Sequence, residues 1–367
     1  MTYEEALSII IKKQSLGIMP GLSRIEALLE KMGNPQNEIK VIHIAGTNGK
    51  GTVASTLADA LHKNGYNVGL FTSPWVDDYR EQIQLNGSYI SKEDFVRYID
   101  EYKDCSSTEF EFLTAIMYKY FFDKRVDYAV IECGMGGLED STNVIESPVL
   151  SVITSVALDH TGFLGTTLDE IAIQKAGIIK KNSSTVLYPN EKCESIFAEK
   201  CLSENNRLIK IKNMGSFKKN NLAVVNACLD YLGVPPVEET VSLPARQELF
   251  GNGIMLDGAH NEDGALALLK ALPDKNISAV VGMMRDKNYD AYLSIIAPKC
   301  SKIYAVTVNN SRSLSACELA EMAKGYCGNV TVCENPHKAL SLARQDGNFV
   351  LVCGSFYLAR EIRKDLM

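Results

Sequence analysis

The sequence predicts an α/β fold in which mostly parallel sheets are flanked by helices. Three observations carry this expectation. Short apolar runs that suit buried strands alternate with longer stretches of helical periodicity along almost the whole chain. Two of those runs open into glycine turns, Gly46 to Gly51 and Gly134 to Gly137. Val234-Pro235-Pro236 interrupts the alternation once, after which it resumes. The 367 residues suffice for two cores, and the interruption divides them into domains of 1–236 and 237–367.

Composition narrows the function. Apolar residues make up 46% and charged residues 23% of the chain, as in ordinary globular proteins. A net charge of −7 supplies no general basic field for nucleic acid or anionic lipid, so neither is an expected partner. The ten cysteines include no C-x-x-C pair, and several sit in apolar runs (Cys133, Cys228, Cys353). Buried free thiols in a reducing compartment account for them better than disulfides or zinc. Met1-Thr2-Tyr3-Glu4-Glu5 lacks the basic and apolar regions of a secretory signal, and no apolar run approaches the roughly 20 residues that span a bilayer. A cytoplasmic protein with no membrane partner is expected.

In chain order, residues 2–13 read as a helix on Ala6, Leu7, Ile9 and Ile10. A loop through Pro20-Gly21 follows, and 22–31 form a second helix on Ile25, Leu28 and Leu29. Val41-Ile42-His43-Ile44 is a strand, Gly46 to Thr52 a loop, and the stretch from Val53 through Leu61 a helix ending near Asn64-Gly65. The next strand, 67–71, completes a βαβ unit and implies parallel pairing. Helices follow at 91–102 and 110–122, and strands at 127–132 and 149–154. Then come a helix at 168–179, short strands at 185–188 and 208–211 around a helix at 191–203, and a helix at 221–232. The second domain repeats the alternation. Its strands fall at 253–257, 279–282, 303–308, 330–333 and 349–353, and its helices at 262–271, 289–297, 315–325, 336–344 and 356–365. There is no heptad pattern, and a monomer is expected.

The loop Gly46-Thr47-Asn48-Gly49-Lys50-Gly51-Thr52 is the first candidate site. Backbone N–H groups at a strand-to-helix glycine turn cradle phosphate, assisted by the helix dipole. Lys50 adds a cation, and Thr52 a hydroxyl for phosphate or its magnesium ion. The strict G-x-x-x-x-G-K-[ST] pattern fails: its first glycine would fall at Ile44, and Gly51 separates Lys50 from Thr52. A strand–helix turn that binds nothing would use the same residues. Ser73, Glu132 and His160 all stand at or just past the ends of expected strands. In a parallel sheet these ends share an edge, where a hydroxyl, a carboxylate and an imidazole suit a divalent ion. Singly, each reads as a turn or loop residue. The second domain has no such loop. Its conspicuous polar run is Asp257-Gly258-Ala259-His260-Asn261 at a strand end.

Several ordered words make the chain resemble the folylpolyglutamate synthase/dihydrofolate synthase family of the Mur ligase superfamily. They are Pro20-Gly21-Leu22, His43 to Thr52, Thr72-Ser73-Pro74, Glu132 with Gly134-Met135-Gly136-Gly137, and Asp140-Ser141-Thr142-Asn143. Further on stand Leu158-Asp159-His160-Thr161, Glu170 with Lys175 to Lys180, Leu243-Pro244 with Arg246, Asp257 to Asn261, and Gly354 to Leu358. The resemblance runs from Tyr3 to about Leu366. It implies a P-loop-type ATP-binding domain followed by a smaller Rossmann-like glutamate-ligase domain. The implied enzyme is an ATP-dependent ligase that joins L-glutamate to a folate or dihydropteroate carboxylate through an acyl phosphate, releasing ADP and phosphate. It also implies that ATP lies between the domains, with magnesium, two ions, as cofactor. Position by position, Gly46, Thr47, Asn48, Gly49, Lys50, Gly51 and Thr52 match the ATP loop, and Asn221, Arg246 and Asp257 match further nucleotide contacts. Ser73, Glu132 and His160 match metal ligands, and Lys175 matches a lysine that the family carbamylates, as a helix lysine would not otherwise suggest. His260 matches a residue near the phosphates or the incoming glutamate. Phe110, Glu111, Phe112 and Leu113, with Glu139, Asp140 and Ser141, match the pterin-side pocket, although Phe110 and Phe112 at helical spacing read equally well as core.

The chain departs from the family at several points. Trp75 stands for histidine, Phe217 and Lys218 for His-Gln, Ala245 for the glycine before Arg246, and Glu262 for the proline after Asn261; the stretch from Lys181 to Pro235 is short. These departures lie near the acceptor and nucleotide pockets, and they leave open the same chemistry on a non-folate carboxylate. From another class, a non-catalytic nucleotide-binding protein would share the phosphate loop, but Lys50, Glu132, His160, Lys175 and His260 together argue against it, since a binding module has no need of a second metal site. A phosphate-loop motor or kinase is disfavoured by the failed strict pattern.

Overall fold

A computed structural model describes residues 1–17, 19–251 and 253–367. Position 18 of the expected 17–22 loop therefore lies outside the described residues. The chain forms two compact units. The first comprises Met1–Val156 and Leu164–Val241, the second Ala157–Phe163 and Ser242–Met367. The units thus change over at 241/242, a little beyond the Pro235-Pro236 break, and the short segment after the sixth strand groups with the second unit.

The first unit starts with α1 (Tyr3–Gln14) and α2 (Ser23–Lys31), followed by β1 (Val41–Ala45), α3 (Lys50–Lys63) and β2 (Val68–Phe71). A hairpin of β3 (Ile83–Leu85) and β4 (Ser88–Tyr89) leads to α4 (Lys92–Tyr102), α5 (Glu109–Asp123), β5 (Tyr128–Glu132) and β6 (Leu150–Ile153). After the short α6 (Thr161–Leu164), which falls almost wholly in the 157–163 segment of the second unit, α7 (Leu168–Ala176), β7 (Ser184–Leu187), α8 (Glu194–Ser203), β8 (Arg207–Lys210) and α9 (Phe217–Tyr231) complete it. The eight strands run in the order β4-β3-β2-β5-β1-β6-β7-β8. All neighbours are parallel except the β2–β3 and β3–β4 pairs.

Strand alternation explains the two-sided core. Val41 joins Ala129 and Ile131 under α1, α2 and α5, whereas Ile42 and Ile44 join Val130 and Val152 under α3 and α9. Burial on both faces is what makes these strands near-continuously apolar. The helices are capped as their sequences dictate. Thr2, Thr108 and Thr167 each accept from the backbone N–H three residues on, and Glu5, Glu111 and Glu170 return the bond.

The second unit holds β9 (Glu248–Phe250), β10 (Ile254–Leu256), α10 (Glu262–Ala271), β11 (Ile277–Val281), α11 (Tyr289–Ile296) and β12 (Lys302–Ala305). It ends with α12 (Ala316–Ala323), β13 (Val330–Val332), α13 (Pro336–Gln345), β14 (Phe349–Cys353) and α14 (Phe356–Arg363). Its sheet order is β13-β12-β11-β14-β10-β9, parallel except for β9 on β10. All ten cysteines are free thiols, and no helix among the described residues is long and apolar enough to cross a membrane.

Candidate active site

In the first unit the site grows from the middle of the sheet. β1 lies between β5 and β6, and Ile44 pairs with Glu132, so the loop after β1 opens beside the carboxylate that ends β5. Thr47 N–H donates to the Ser155 carbonyl at 2.6 Å, which pins the loop to the chain leaving β6. Gly49 caps α3 at φ 87°, a left-handed conformation that costs a residue with a Cβ roughly 1–2 kcal/mol. A Cβ there would also stand 2.8 Å from Asn221 Oδ1, which places the expected nucleotide contact on α9 directly against the loop. Lys50 begins α3, and Gly51 and Thr52 lie in its first turn.

Glu132 is 2% exposed and serves two neighbours. Its Oε2 accepts the Ser73 backbone N–H at 3.1 Å, and its Oε1 lies 3.7 Å from Lys50 Nζ. A buried carboxylate needs such partners. Ser73, Glu132 and Lys50 therefore meet, as the strand-end argument expects for this half of the site. The donors fit a hard divalent cation, since a carboxylate with a neighbouring serine hydroxyl is oxygen chemistry of the magnesium or manganese kind. Among the described residues, no group of three or more His, Cys, Asp or Glu side chains is gathered closely enough to hold a metal ion by itself.

Lys175 is the least obvious member. It lies on α7, is 2% exposed, and its Nζ donates to the Gly46 carbonyl at 2.8 Å. A lysine buried beneath the phosphate loop is not an ordinary solvated helix charge.

The expected acceptor side divides. Phe110 packs against the glycine turn, where a Cβ on Gly134 would stand 2.5 Å from its ring, and it lies 5.8 Å from Phe71. Phe112 is 0% exposed, as its core alternative expects, and Leu113 beside it is 2% exposed. The Glu111 carboxylate caps its own helix through Thr108 N–H and pairs with Arg24 at 2.8 Å. Arg24 in turn donates to the Met19 and Pro20 carbonyls, fixing the Pro20-Gly21 loop. Glu139 is exposed and Ser141 half-buried. Asp140 is buried and accepts from Met135 N–H at 2.7 Å, Thr142 N–H at 3.0 Å and Thr142 Oγ1 at 2.5 Å; burial still pushes its carboxyl above the usual range.

Behind that loop lies a network that the sequence reading did not include. His43 is 0% exposed, with Nε2 2.8 Å from Thr142 Oγ1 and 3.2 Å from Cys133 Sγ. The Thr142 hydroxyl gives its one proton to Asp140, so His43 Nε2 is the donor and Nδ1 carries the lone pair. Burial pushes the His43 imidazole down to about 3, with Lys180 adding to the effect. Among the described residues, Nδ1 is a buried atom with no hydrogen-bond partner.

In the second unit, Asp257 is buried and accepts from Gln247 N–H at 2.8 Å and Ala259 N–H at 2.6 Å, with burial pushing its carboxyl up. It thereby fixes the loop carrying Arg246, whose guanidinium lies 4.2 Å from the Phe356 ring centre. Ala245, in place of the family's glycine, takes φ 54°. His260 Nδ1 lies 2.9 Å from the Gly258 carbonyl and Nε2 3.4 Å from Asp159. His160 belongs to this unit and stands at φ 51°. Lys287 also reaches Asp159, at 2.6 Å. The sequence reading passed over this lysine, although it lies just past the end of β11, where the strand-end rule applies.

Comparison with known proteins fits this geometry. Residues 44–230 match the Mur ligase middle domain, and residues 245–356 the glutamate ligase domain of Mur ligases. A dihydrofolate synthase/folylpolyglutamate synthase of Bacillus subtilis (strain 168) is 30% identical, over 99% of both chains. The chain belongs to the folylpolyglutamate/dihydrofolate synthase family of Mur ligases. It is an ATP-dependent ligase. Among solved structures, E. coli FolC in complex with DHPP and ADP has a TM-score of 0.89 at 26% identity, covering 98% of this chain and 97% of that one. The Yersinia pestis bifunctional enzyme complexed with AMPPNP and a manganese ion has a TM-score of 0.87 at 26% identity, covering 100% of this chain and 98% of that one. ATP and a divalent metal ion thus belong to this family's site.

Proposed function

We propose that the chain joins L-glutamate to a folate or dihydropteroate carboxylate in two steps. ATP transfers its γ-phosphoryl group to the acceptor carboxylate, giving an acyl phosphate and ADP. The glutamate amine then attacks the acyl carbon, and phosphate leaves as the amide closes. The observation that carries this reading is the meeting of Lys50, Glu132 and Ser73 at the phosphate loop. A triphosphate and a carboxylate repel each other, and catalysis depends on charge placed in advance where they react.

On this reading the first unit binds ATP and the acceptor, and the second is the glutamate-ligase domain, with Arg246 and Asp257 ordering a nucleotide-contacting loop. Lys50 and the loop N–H groups hold the phosphates, Asn221 backs the loop, and His260 serves the phosphates or the glutamate. Ser73, Glu132 and His160, with Lys175 once carbamylated, would hold two magnesium ions, which supply the charge that offsets this repulsion. Unmodified Lys175 donates to Gly46. Carbamylation would leave one N–H on Nζ and add a buried carboxylate beyond it, an anion that needs a cation next to it. Phe110 offers a ring beside the glycine turn for the flat acceptor, and the Asp140 loop frames it. The reading also has the protein acting as a cytoplasmic monomer on small molecules, with no nucleic-acid or membrane partner.

ADP release tests the proposal. Turnover should require glutamate plus dihydropteroate or tetrahydrofolate, and Lys50→Ala should lower it about a hundredfold or more. Glutamate-dependent turnover on neither acceptor would sink the folate reading in favour of another carboxylate.

A further inference from the structure

Asp159 is the hub of a cluster that lies wholly within the second unit. Its Oδ1 accepts from Lys287 Nζ at 2.6 Å and from the His160 backbone N–H at 2.8 Å. Its Oδ2 accepts from Asn261 Nδ2 at 3.0 Å and faces His260 Nε2 at 3.4 Å. The Lys287 side chain is 8% exposed, and its Nζ also lies 3.4 Å from His160 Nε2. An ammonium has protons to give and no lone pair. His160 Nε2 must therefore turn its lone pair toward Lys287, and the ring proton sits on Nδ1. The His160 backbone, at φ 51°, occupies a region that a residue with a Cβ keeps only when its surroundings impose it. Acceptance of the His160 N–H by Asp159 is one such constraint, and Lys287 anchors Asp159.

We propose that Lys287 is a positioning residue for His160, fixing its backbone through Asp159 and its imidazole as the Nδ1–H tautomer with Nε2 as the ligating nitrogen. The inference rests on the reading of His160 as a metal ligand. Asp159 neutralises the ammonium, so a divalent cation can approach Nε2 while Lys287 keeps its bond to the carboxylate. Asn261, whose own Oδ1 caps α10 through Gly264 N–H at 2.8 Å, holds the carboxylate from the other side.

The test uses full-length, metal-free protein labelled with 15N-histidine at about pH 8, where a histidine of ordinary pKa is neutral. Long-range 15N–1H spectra distinguish the tautomers, and His160→Gln assigns the signal. The wild type should show His160 as a single Nδ1–H tautomer, Lys287→Met a mixture, and Lys287→Arg a single tautomer again. An Nε2–H or doubly protonated His160 in the wild type overturns the proposal without recourse to any variant. So does a Lys287→Met protein with the wild-type tautomer. Mn²⁺ titration in the presence of ADP, followed by electron paramagnetic resonance, gives a second readout. Lys287→Met should bind Mn²⁺ about 10–100-fold more weakly. Unchanged Mn²⁺ affinity in His160→Gln would overturn the metal-ligand reading, whereas a changed tautomer in Lys287→Met would still establish the positioning of the ring.

Discussion

Acidification should destabilise this protein through His43, and the size of the effect follows from its burial. The imidazole sits at 0% exposure on β1, where its ordinary value of 6.5 falls to about 3. The unfolded chain protonates His43 as pH drops through 6.5, but the folded chain cannot do so until about pH 3. Between those values the unfolded state binds more protons, so stability is full above 6.5 and is lost as pH falls toward 3. The loss runs at about 1.4 kcal/mol per pH unit, so moving from about pH 7.5 to 5.0 removes about 2 kcal/mol through this one residue. His43→Gln keeps an N–H donor for the Thr142 hydroxyl but does not titrate. Urea denaturation of wild type and variant at both pH values isolates the term, because every other group is common to the two proteins. The wild type should lose about 2 kcal/mol more than the variant. Equal losses would refute the account of His43 as a buried neutral donor.

Other consequences are as specific. Gly49→Ala introduces a Cβ 2.8 Å from Asn221 Oδ1 in a left-handed backbone, and should raise the KM for ATP about tenfold while sparing that for the acceptor, as steady-state kinetics would show. Gly177→Ala has the opposite signature: its Cβ would stand 2.4 Å from Leu138 Cα, so the 138–143 loop must move, the acceptor KM should rise and the melting temperature should fall. Lys175→Ala should be nearly inactive, and millimolar acetate should restore part of its turnover if a carbamate carboxylate is the working group; rescue by an amine instead would point to the ammonium.

Much of the fold was legible because strands buried on both faces read as apolar runs and their helices carry explicit caps. Some signals were present and passed over. The hairpin of β3 and β4 turns on Asn86-Gly87, both in left-handed conformations, the dipeptide that such turns favour. The helix expected from Asn221 begins at Phe217, because Ser216 accepts from Lys219 N–H and caps it there. β9 was invisible for a physical reason: it is a three-residue antiparallel edge strand with Leu249 66% exposed. The geometry of the candidate site was legible where strand ends share an edge, as for Ser73 and Glu132, and where a glycine loop opens a helix, as for Lys50. It was not legible where a long-range contact decides the role. Nothing local marks Lys175 as buried under Gly46, Phe112 as core and Phe110 as the ring on the glycine turn, or Asp159 as the partner of Lys287.

The central claim is that this chain activates a folate-type carboxylate as its acyl phosphate, and oxygen tracing tests it most directly. Dihydropteroate or tetrahydrofolate labelled with 18O in its acceptor carboxylate is turned over with ATP, glutamate and magnesium, and the products are read by mass spectrometry. One labelled oxygen should appear in inorganic phosphate for each amide formed, with ADP unlabelled. Amide formation with no label in phosphate, or with label in AMP, would contradict the account.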